Sequence, residues 1–120
     1  MRKISLMVGL LINLSIASSA YANHGSFAAI AYSPWTGNTG ISWGQPTLGH
    51  AQSVALGYCA SPDCHIAAWV NRGCTALAAG WNRQYGWAYG PNLWDVQNRA
   101  LLYCGRTSYG CRVIAHTCSF

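Results

Sequence analysis

A stretch that the chain contains twice decides the fold. Residues 27–70 read FAAIAYSPWTGNTGISWGQPTLGHAQSVALGYCASPDCHIAAWV, and residues 74–117 read CTALAAGWNRQYGWAYGPNLWDVQNRALLYCGRTSYGCRVIAHT. With short gaps allowed in the loops, the copies share eleven identities: Ala29 with Ala76, Ala31 with Ala78, Gly40 with Gly86, Gly44 with Gly90, Gln52 with Gln97, Ala55 with Ala100, Leu56 with Leu101, Tyr58 with Tyr103, Cys59 with Cys104, Cys64 with Cys111 and Ala68 with Ala115. Because a unit of about 45 residues is too small to bury a core alone, the two copies are expected to pack on each other.

Each copy opens with two strands joined by a turn. Phe27–Tyr32 is apolar and near-continuous, Ser33–Asn38 is rich in turn formers, and Gly40–Gly44 supplies the second strand. Thr75–Gly80 and Tyr85–Tyr89 take the same places in the second copy. This order is typical of a β-hairpin.

A helix and a third strand complete each copy. Thr47 and Asn92 are the predicted N-caps, with Asp95 placed to compensate the helix dipole. Apolar residues then recur at helical spacing, at Ala51, Val54, Ala55, Tyr58 and Cys59 in one copy and at Leu93, Val96, Ala100, Tyr103 and Cys104 in the other. The third strands are predicted at His65–Val70 and Arg112–Thr117.

These elements predict one α+β domain over residues 23–120, built of two strand–strand–helix–strand repeats, 27–70 and 74–117. The repeats are expected to share a single antiparallel sheet of about six strands, with both helices on one face.

The cysteines predict a disulfide framework. All six lie in the part of the chain that follows the predicted signal peptide, and an even number in a short exported chain is typical of disulfides. The repeat pairs Cys59 with Cys64 and Cys104 with Cys111 at equivalent positions, which leaves Cys74 with Cys118. No Cys-x-x-Cys pair is present, which disfavours a zinc site.

The first 22 residues predict a secretory signal peptide. Arg2 and Lys3 precede an apolar run from Ile4 to Ile16, which is too short to span a bilayer, and cleavage is expected after Ala22. The predicted localisation is therefore secreted or periplasmic, with no membrane span after cleavage. Removal of the two basic residues lowers the formal net charge from +5 to +3.

The charged residues give no pattern for catalysis or for nucleic-acid binding. The arginines are scattered singly, which disfavours a nucleic-acid partner. Asp63 and Asp95 lie at non-equivalent places in the repeat, so structural roles are favoured over an acid–base pair. The histidines lack the i, i+4 spacing of metal ligands, and His50 is expected on the exposed side of its helix. We predict no catalytic residue, no metal site and no cofactor.

Aromatic residues are unusually frequent. Ile41 and Trp43 in one copy match Trp87 and Tyr89 in the other, and Trp69 matches His116. Bulky side chains on strands favour a core role through cross-strand packing. The alternative is a recognition surface made of the tryptophans in turns or at a helix start, with arginines that complement an acidic partner. The predicted binding residues are Trp35, Trp81, Trp94, Arg83 and Arg99, with Arg106 as a further candidate.

The chain also resembles a known family. The sequence Ala-Ile-Ala-Tyr-Ser begins at Ala29, Gly-Ile-Ser-Trp-Gly begins at Gly40, and Cys-His-Ile begins at Cys64. In this order and spacing they resemble the domain-of-unknown-function family 4189, over Phe27 to Cys118. The resemblance implies a small exported bacterial protein with a compact disulfide-bonded domain. It supplies no catalytic residues to assign.

Three functional hypotheses follow. The first is an exported non-enzymatic protein that binds another envelope or secreted protein, as an inhibitor or an immunity-like factor. The second is a module that binds cell-wall glycan or peptidoglycan, with exposed tryptophans stacked on sugar rings. The third is a small secreted effector or hydrolase.

Overall fold

The structure, a computed structural model, describes residues 25–120. The predicted signal peptide, residues 1–22, lies outside the described residues. Eight elements follow along the chain: β1 (Phe27–Tyr32), β2 (Thr39–Gln45), α1 (Leu48–Cys59), β3 (His65–Asn71), β4 (Gly73–Ala79), β5 (Tyr85–Gly90), α2 (Leu93–Cys104) and β6 (Arg112–Ser119). The strand–strand–helix–strand order is present twice, as the sequence predicts.

The strands form two three-stranded antiparallel sheets, one from each repeat. Their orders are β2-β1-β3 and β5-β4-β6. The α+β class and the duplicated pattern are thus confirmed, whereas the expected single sheet of about six strands is corrected to two sheets. The physical reason lies in the central strands: β1 and β4 are already paired on both edges, and both of their faces are buried.

The two sheets pack face to face, and one helix covers the outer face of each. Between the sheets, Ile30 and Tyr32 of β1 belong to the same buried cluster as Leu77 of β4. Two further clusters join α1 to β1 and α2 to β4. The layers therefore run helix, sheet, sheet, helix. The helices lie on opposite outer faces instead of on one shared face, because each repeat covers its own sheet.

The three predicted disulfides are present. Cys59–Cys64 and Cys104–Cys111 each join the last residue of a helix to the residue that precedes the third strand. Cys74 and Cys118 lie opposite each other on β4 and β6, so this bridge closes the second repeat end to end. Every cysteine of the chain is paired.

The helices begin at the predicted caps. The Thr47 hydroxyl accepts a hydrogen bond from the His50 amide, and the Asn92 side chain accepts one from the Asp95 amide. The His50 side chain is exposed, as predicted. Within residues 25–120, neither helix has the length and apolar character needed to cross a membrane.

A glycine in the second strand of each repeat lets the helix approach the sheet. A Cβ atom on Gly40 would overlap the Ala55 carbonyl oxygen of α1, and one on Gly86 would overlap the Cys104 amide nitrogen of α2. This contact explains why these glycines are identical in the two copies, since only a residue without a side chain permits such an approach.

We expect Gly40→Ala to lower the free energy of unfolding by about 1–3 kcal/mol, because the added methyl group must push α1 away from β2. Gly57→Ala is a matched control in the exposed face of α1, where a Cβ atom meets nothing within 4 Å. We expect that variant to be more stable by about 0.5–1 kcal/mol. Denaturant unfolding with the disulfides intact measures both changes. Equal effects of the two substitutions would contradict the steric explanation.

Candidate functional site

The three tryptophans predicted as binding residues are exposed. Trp35, Trp81 and Trp94 have 76%, 78% and 74% of their surfaces accessible. Exposed tryptophan is unusual, because its large apolar ring stabilises a fold when it is buried. Their exposure agrees with the recognition alternative, although a binding role stays a prediction.

Trp35 and Trp81 lie at the same end of the sandwich, which we call the loop end. It is formed by the β1–β2 loop, residues 33–38, and the β4–β5 loop, residues 80–84. Arg83 connects them, since its Nη1 donates to the carbonyl oxygens of Pro34 at 3.0 Å and Trp35 at 2.7 Å. The Tyr32 hydroxyl donates to the Arg83 carbonyl at 3.0 Å. The two loops are therefore held in fixed positions relative to each other.

Trp81 is exposed, and its ring also packs against neighbouring residues of the second repeat. Its indole meets the Tyr109 ring edge-on, with the ring centroids 5.6 Å apart. Its amide donates to the Tyr109 carbonyl at 3.1 Å. Gly110 lies against the indole at a φ of 68°, so a side chain there would displace the ring. Trp81 is thus exposed while Tyr109 and Gly110 determine the position of its ring.

Asp63 holds the loop that carries Trp35. Its carboxylate accepts hydrogen bonds from the Ser33 hydroxyl at 2.5 Å, the Ser61 hydroxyl at 2.9 Å and the Trp35 amide at 2.9 Å. The bond from Ser33 is the main reason why the pKa of Asp63 lies below its ordinary value. Asp63 has a structural role here, as the sequence favours.

Trp94 and Arg99 lie apart from the loop end. Trp94 is in the first turn of α2, which follows the end of β5 that is remote from loop 80–84. Arg99 forms an ion pair with Asp95 at 3.1 Å and donates to the Tyr89 carbonyl at 2.7 Å. The hydrogen bond that Arg99 donates to the Asp95 carboxylate raises the pKa of Arg99. The structure therefore joins Trp35, Trp81 and Arg83 at one end and leaves Trp94 and Arg99 elsewhere.

A second feature is a groove at the edge where β2 lies over β6. It has a volume of about 480 Å³ and is lined by Thr39, Gly40, Ile41, Trp43, Tyr58, Ile114 and Ala115. Ile114 reaches it because the register between β4 and β6 shifts at this residue. Farther along the same edge, Thr117 donates to the Ser42 carbonyl and Gly44 donates to the Ser119 hydroxyl. These bonds close the groove at the end remote from the loops.

Trp43 and Tyr58 are the functional candidates that sequence reasoning missed. Strand packing and helical spacing favoured buried positions for them, yet Trp43 is 61% exposed and Tyr58 is 71% exposed. The reason is that β2 is an edge strand, and that the buried stripe of α1 consists of Ala51, Ala55 and Cys59, with Tyr58 beside it. A comparison of the two copies could have indicated this edge, because its side chains differ in size from those at the equivalent edge.

The equivalent edge, where β3 meets β5, differs in its side chains. Trp87 occupies the place of Ile41 there and stacks on Tyr89, with the ring centroids 5.9 Å apart. A cavity of about 210 Å³ at this edge is lined by Trp69, Val70, Asn71, Trp87 and Tyr89. The groove beside β2 thus has the smaller Ile41 where the opposite edge has Trp87.

Two histidine side chains are engaged in structural contacts with neighbouring hydroxyl groups. The His65 Nε2 lies 3.0 Å from the Tyr85 hydroxyl, and the His50 Nδ1 lies 2.8 Å from the Thr47 hydroxyl. No three His, Cys, Asp or Glu side chains within residues 25–120 come together as metal ligands would. What the arrangement offers is a rigid set of exposed aromatic rings beside an apolar groove.

The fold and these surfaces define a small, duplicated, disulfide-bonded α+β domain. Residues 27–118 match the family described as Domain of unknown function (DUF4189), and the chain belongs to this family. The resemblance in the strand motifs is thereby confirmed. The chain is similar to the protein in "NMR structure of Rv1813c from Mycobacterium tuberculosis", with 29% sequence identity and a TM-score of 0.59 over 77% of this chain and 73% of that chain. A comparison with curated proteins found no match.

We expect Asp63→Asn to lower the midpoint of thermal unfolding at neutral pH, because the amide cannot accept from all three donors. A carboxyl whose pKa is lowered by folding stabilises the protein above its ordinary pKa of 3.8 and loses that effect as the pH falls below it. The difference between wild type and variant should therefore shrink in acid. Circular dichroism melts across this pH range test it. A difference that does not change with pH would contradict the role of the charge.

Proposed function

We propose that this protein is an exported, non-enzymatic binding protein that holds another envelope or secreted protein. The observation that carries the proposal is the groove between β2 and β6 with its two exposed aromatic residues, Trp43 and Tyr58. In this proposal the groove takes an apolar side chain from an extended segment of the partner.

The chemistry of the groove favours a protein segment. Its inner wall consists of the aliphatic side chains of Ile41, Ile114 and Ala115, and Thr39 provides its one side-chain hydroxyl beside that of Tyr58. An apolar residue of the partner would displace water from this wall, and tryptophan and tyrosine are the residue types that anchor protein interfaces. A sugar ring needs several polar groups for its hydroxyls, and the groove offers few.

The rigidity of the scaffold supports the same function. The disulfide Cys59–Cys64 fixes the end of α1, which carries Tyr58, and Arg83 fixes the two loops beside the groove. A surface that is already ordered loses little conformational entropy on binding, so more of the contact energy appears as affinity. An inhibitor or immunity-like factor, the finer form of this proposal, would need such a preformed surface.

The proposed compartment agrees with the covalent structure. Three disulfides indicate an oxidising environment outside the cytoplasm. Export through a signal peptide over residues 1–22 is part of the proposal. A partner would accordingly be found in the envelope or outside the cell.

Affinity capture from an envelope and culture-fluid fraction, followed by calorimetry with the purified partner, tests the function. We expect Trp43→Ala and Tyr58→Ala each to raise the dissociation constant about tenfold or more, the usual loss for an aromatic anchor. Trp94→Ala is the matched control, because Trp94 is equally exposed but lies apart from the groove. We expect it to leave the affinity unchanged.

Two outcomes would contradict the proposal. One is a partner that binds the Trp43→Ala, Tyr58→Ala double variant as well as it binds the wild type. The other is sedimentation of the protein with purified cell wall that is lost in the same double variant, which would favour the glycan-binding alternative.

A further inference from the structure

The two repeats differ at one core position near the loop end. In the first repeat, Tyr32 is fully buried and packs edge-on against Tyr85, with ring centroids 5.3 Å apart. His65 lies beside both rings, with its centroid 6.5 Å from that of Tyr32. The alignment places Ala79 at the position of Tyr32, and Arg112 at that of His65. The second repeat therefore lacks the aromatic ring that fills this place in the first.

The missing ring leaves a pocket. It has a volume of about 400 Å³ and is lined by Ala79, Gly80, Trp81, Arg83, Gly110 and Arg112. Its walls are mainly polar, in contrast to the groove beside β2. The indole of Trp81, held by Tyr109 and Gly110, forms its aromatic side.

Two arginines line this pocket. Arg83 is oriented by its Nη1, which donates to Pro34 and Trp35, while its Nε and Nη2 donate to no group within residues 25–120. Arg112 is exposed and forms no ion pair with either aspartate of the described residues. Asp63 faces Ser33, Ser61 and the Trp35 amide, and Asp95 faces Arg99. The pocket thus carries positive charge without an internal counter-ion.

We propose that this pocket binds a carboxylate of the partner protein, in an extended segment that carries an acidic residue near an apolar one. The inference rests on the proposed function and names the chemistry of its partner. Arginine donates two parallel N–H bonds to a carboxylate, and such charge-assisted bonds are stronger than neutral ones. The aliphatic part of the acidic side chain packs against the Trp81 indole.

The pocket lies close to the groove, which is why we expect an acidic residue and an apolar residue together in the partner segment. Arg112 begins β6 and Ile114, which lines the groove, follows two positions later. Two positions along an extended strand span about 7 Å. A partner segment in extended form therefore reaches both sites with residues of the pattern acidic-x-apolar. The pocket would bind the acidic residue, and the groove would bind the apolar one.

Nuclear magnetic resonance titration with the blocked tripeptide acetyl-Asp-Gly-Leu-amide tests the proposal. We expect saturable shifts of the Trp81 indole N–H and of the arginine Nε–H signals of Arg83 and Arg112. The matched peptide with Asn in place of Asp should bind about tenfold more weakly, as expected for loss of a charge-assisted bond. No saturable shift at these signals, or equal binding of the two peptides, would overturn the proposal.

Variants test whether the peptide binds in the pocket. Ala79→Tyr introduces the residue of the first repeat, so it should fill the pocket and abolish the shifts at Arg83 and Arg112. If this variant fails to fold, Arg112→Gln, a change at an exposed residue, should weaken binding about tenfold. Arg72→Gln is the control, because Arg72 is exposed between β3 and β4, at the end of β4 opposite Ala79. Binding that Arg112→Gln and Arg72→Gln reduce equally would overturn the assignment.

Further results separate this inference from the proposed function. Partner binding that depends on Trp43 but is unaffected by Arg112→Gln would keep the function and reject the pocket. Peptide binding that depends on Arg112, without any Trp43-dependent partner, would keep the pocket and reject the function. Inorganic phosphate that produces the same saturable shifts as the Asp peptide would mark a general anion site and overturn the carboxylate assignment.

Discussion

The contact between the inner faces of β1 and β4 is the constraint on which the rest of the structure depends. Ile30, Tyr32 and Leu77 are fully buried between the sheets, and six of the other ten positions of the two strands are alanine. Small side chains let the sheets approach closely, and they also let a helix approach from outside. Each repeat is therefore half of a core: its outer face is covered by its own helix, and its inner face needs the other repeat.

The sequence predicted the local structure and the covalent framework well. Duplication identified the strand–helix order, the caps at Thr47 and Asn92 and all three disulfides, because these depend on nearby residues or on equivalence between the copies. It did not predict the division into two sheets. Both β1 and β4 are almost continuously apolar, which is typical of strands buried on both faces. That pattern does not say whether the second face meets a helix or another sheet, since the pairing is non-local.

The sequence predicted only part of the candidate site, because the exposure of the other part depends on non-local packing. Residues in turns, such as Trp35 and Trp81, are exposed wherever the sheets lie, so residue type and position were sufficient. Trp43 and Tyr58 lie on elements whose periodicity favours burial, and only the position of β2 at a sheet edge exposes them. Identities between the copies mark the scaffold, as Gly40 and Gly86 do. Differences at core positions, in contrast, mark the places where one copy leaves space.

Tyr32, which fills its core position in the first repeat, also stabilises the pocket beside Ala79 in the second repeat. The Tyr32 hydroxyl donates to the Arg83 carbonyl, and burial raises the pKa of this tyrosine. Arg83 adopts a left-handed backbone conformation, with a φ of 67°, which is unfavourable for a residue with a side chain and needs such support. Its guanidinium then reaches the carbonyls of Pro34 and Trp35, again in the first repeat. The basic pocket is therefore a property of the duplicated molecule, because Arg83, which lines it, is held in position by residues of the first repeat.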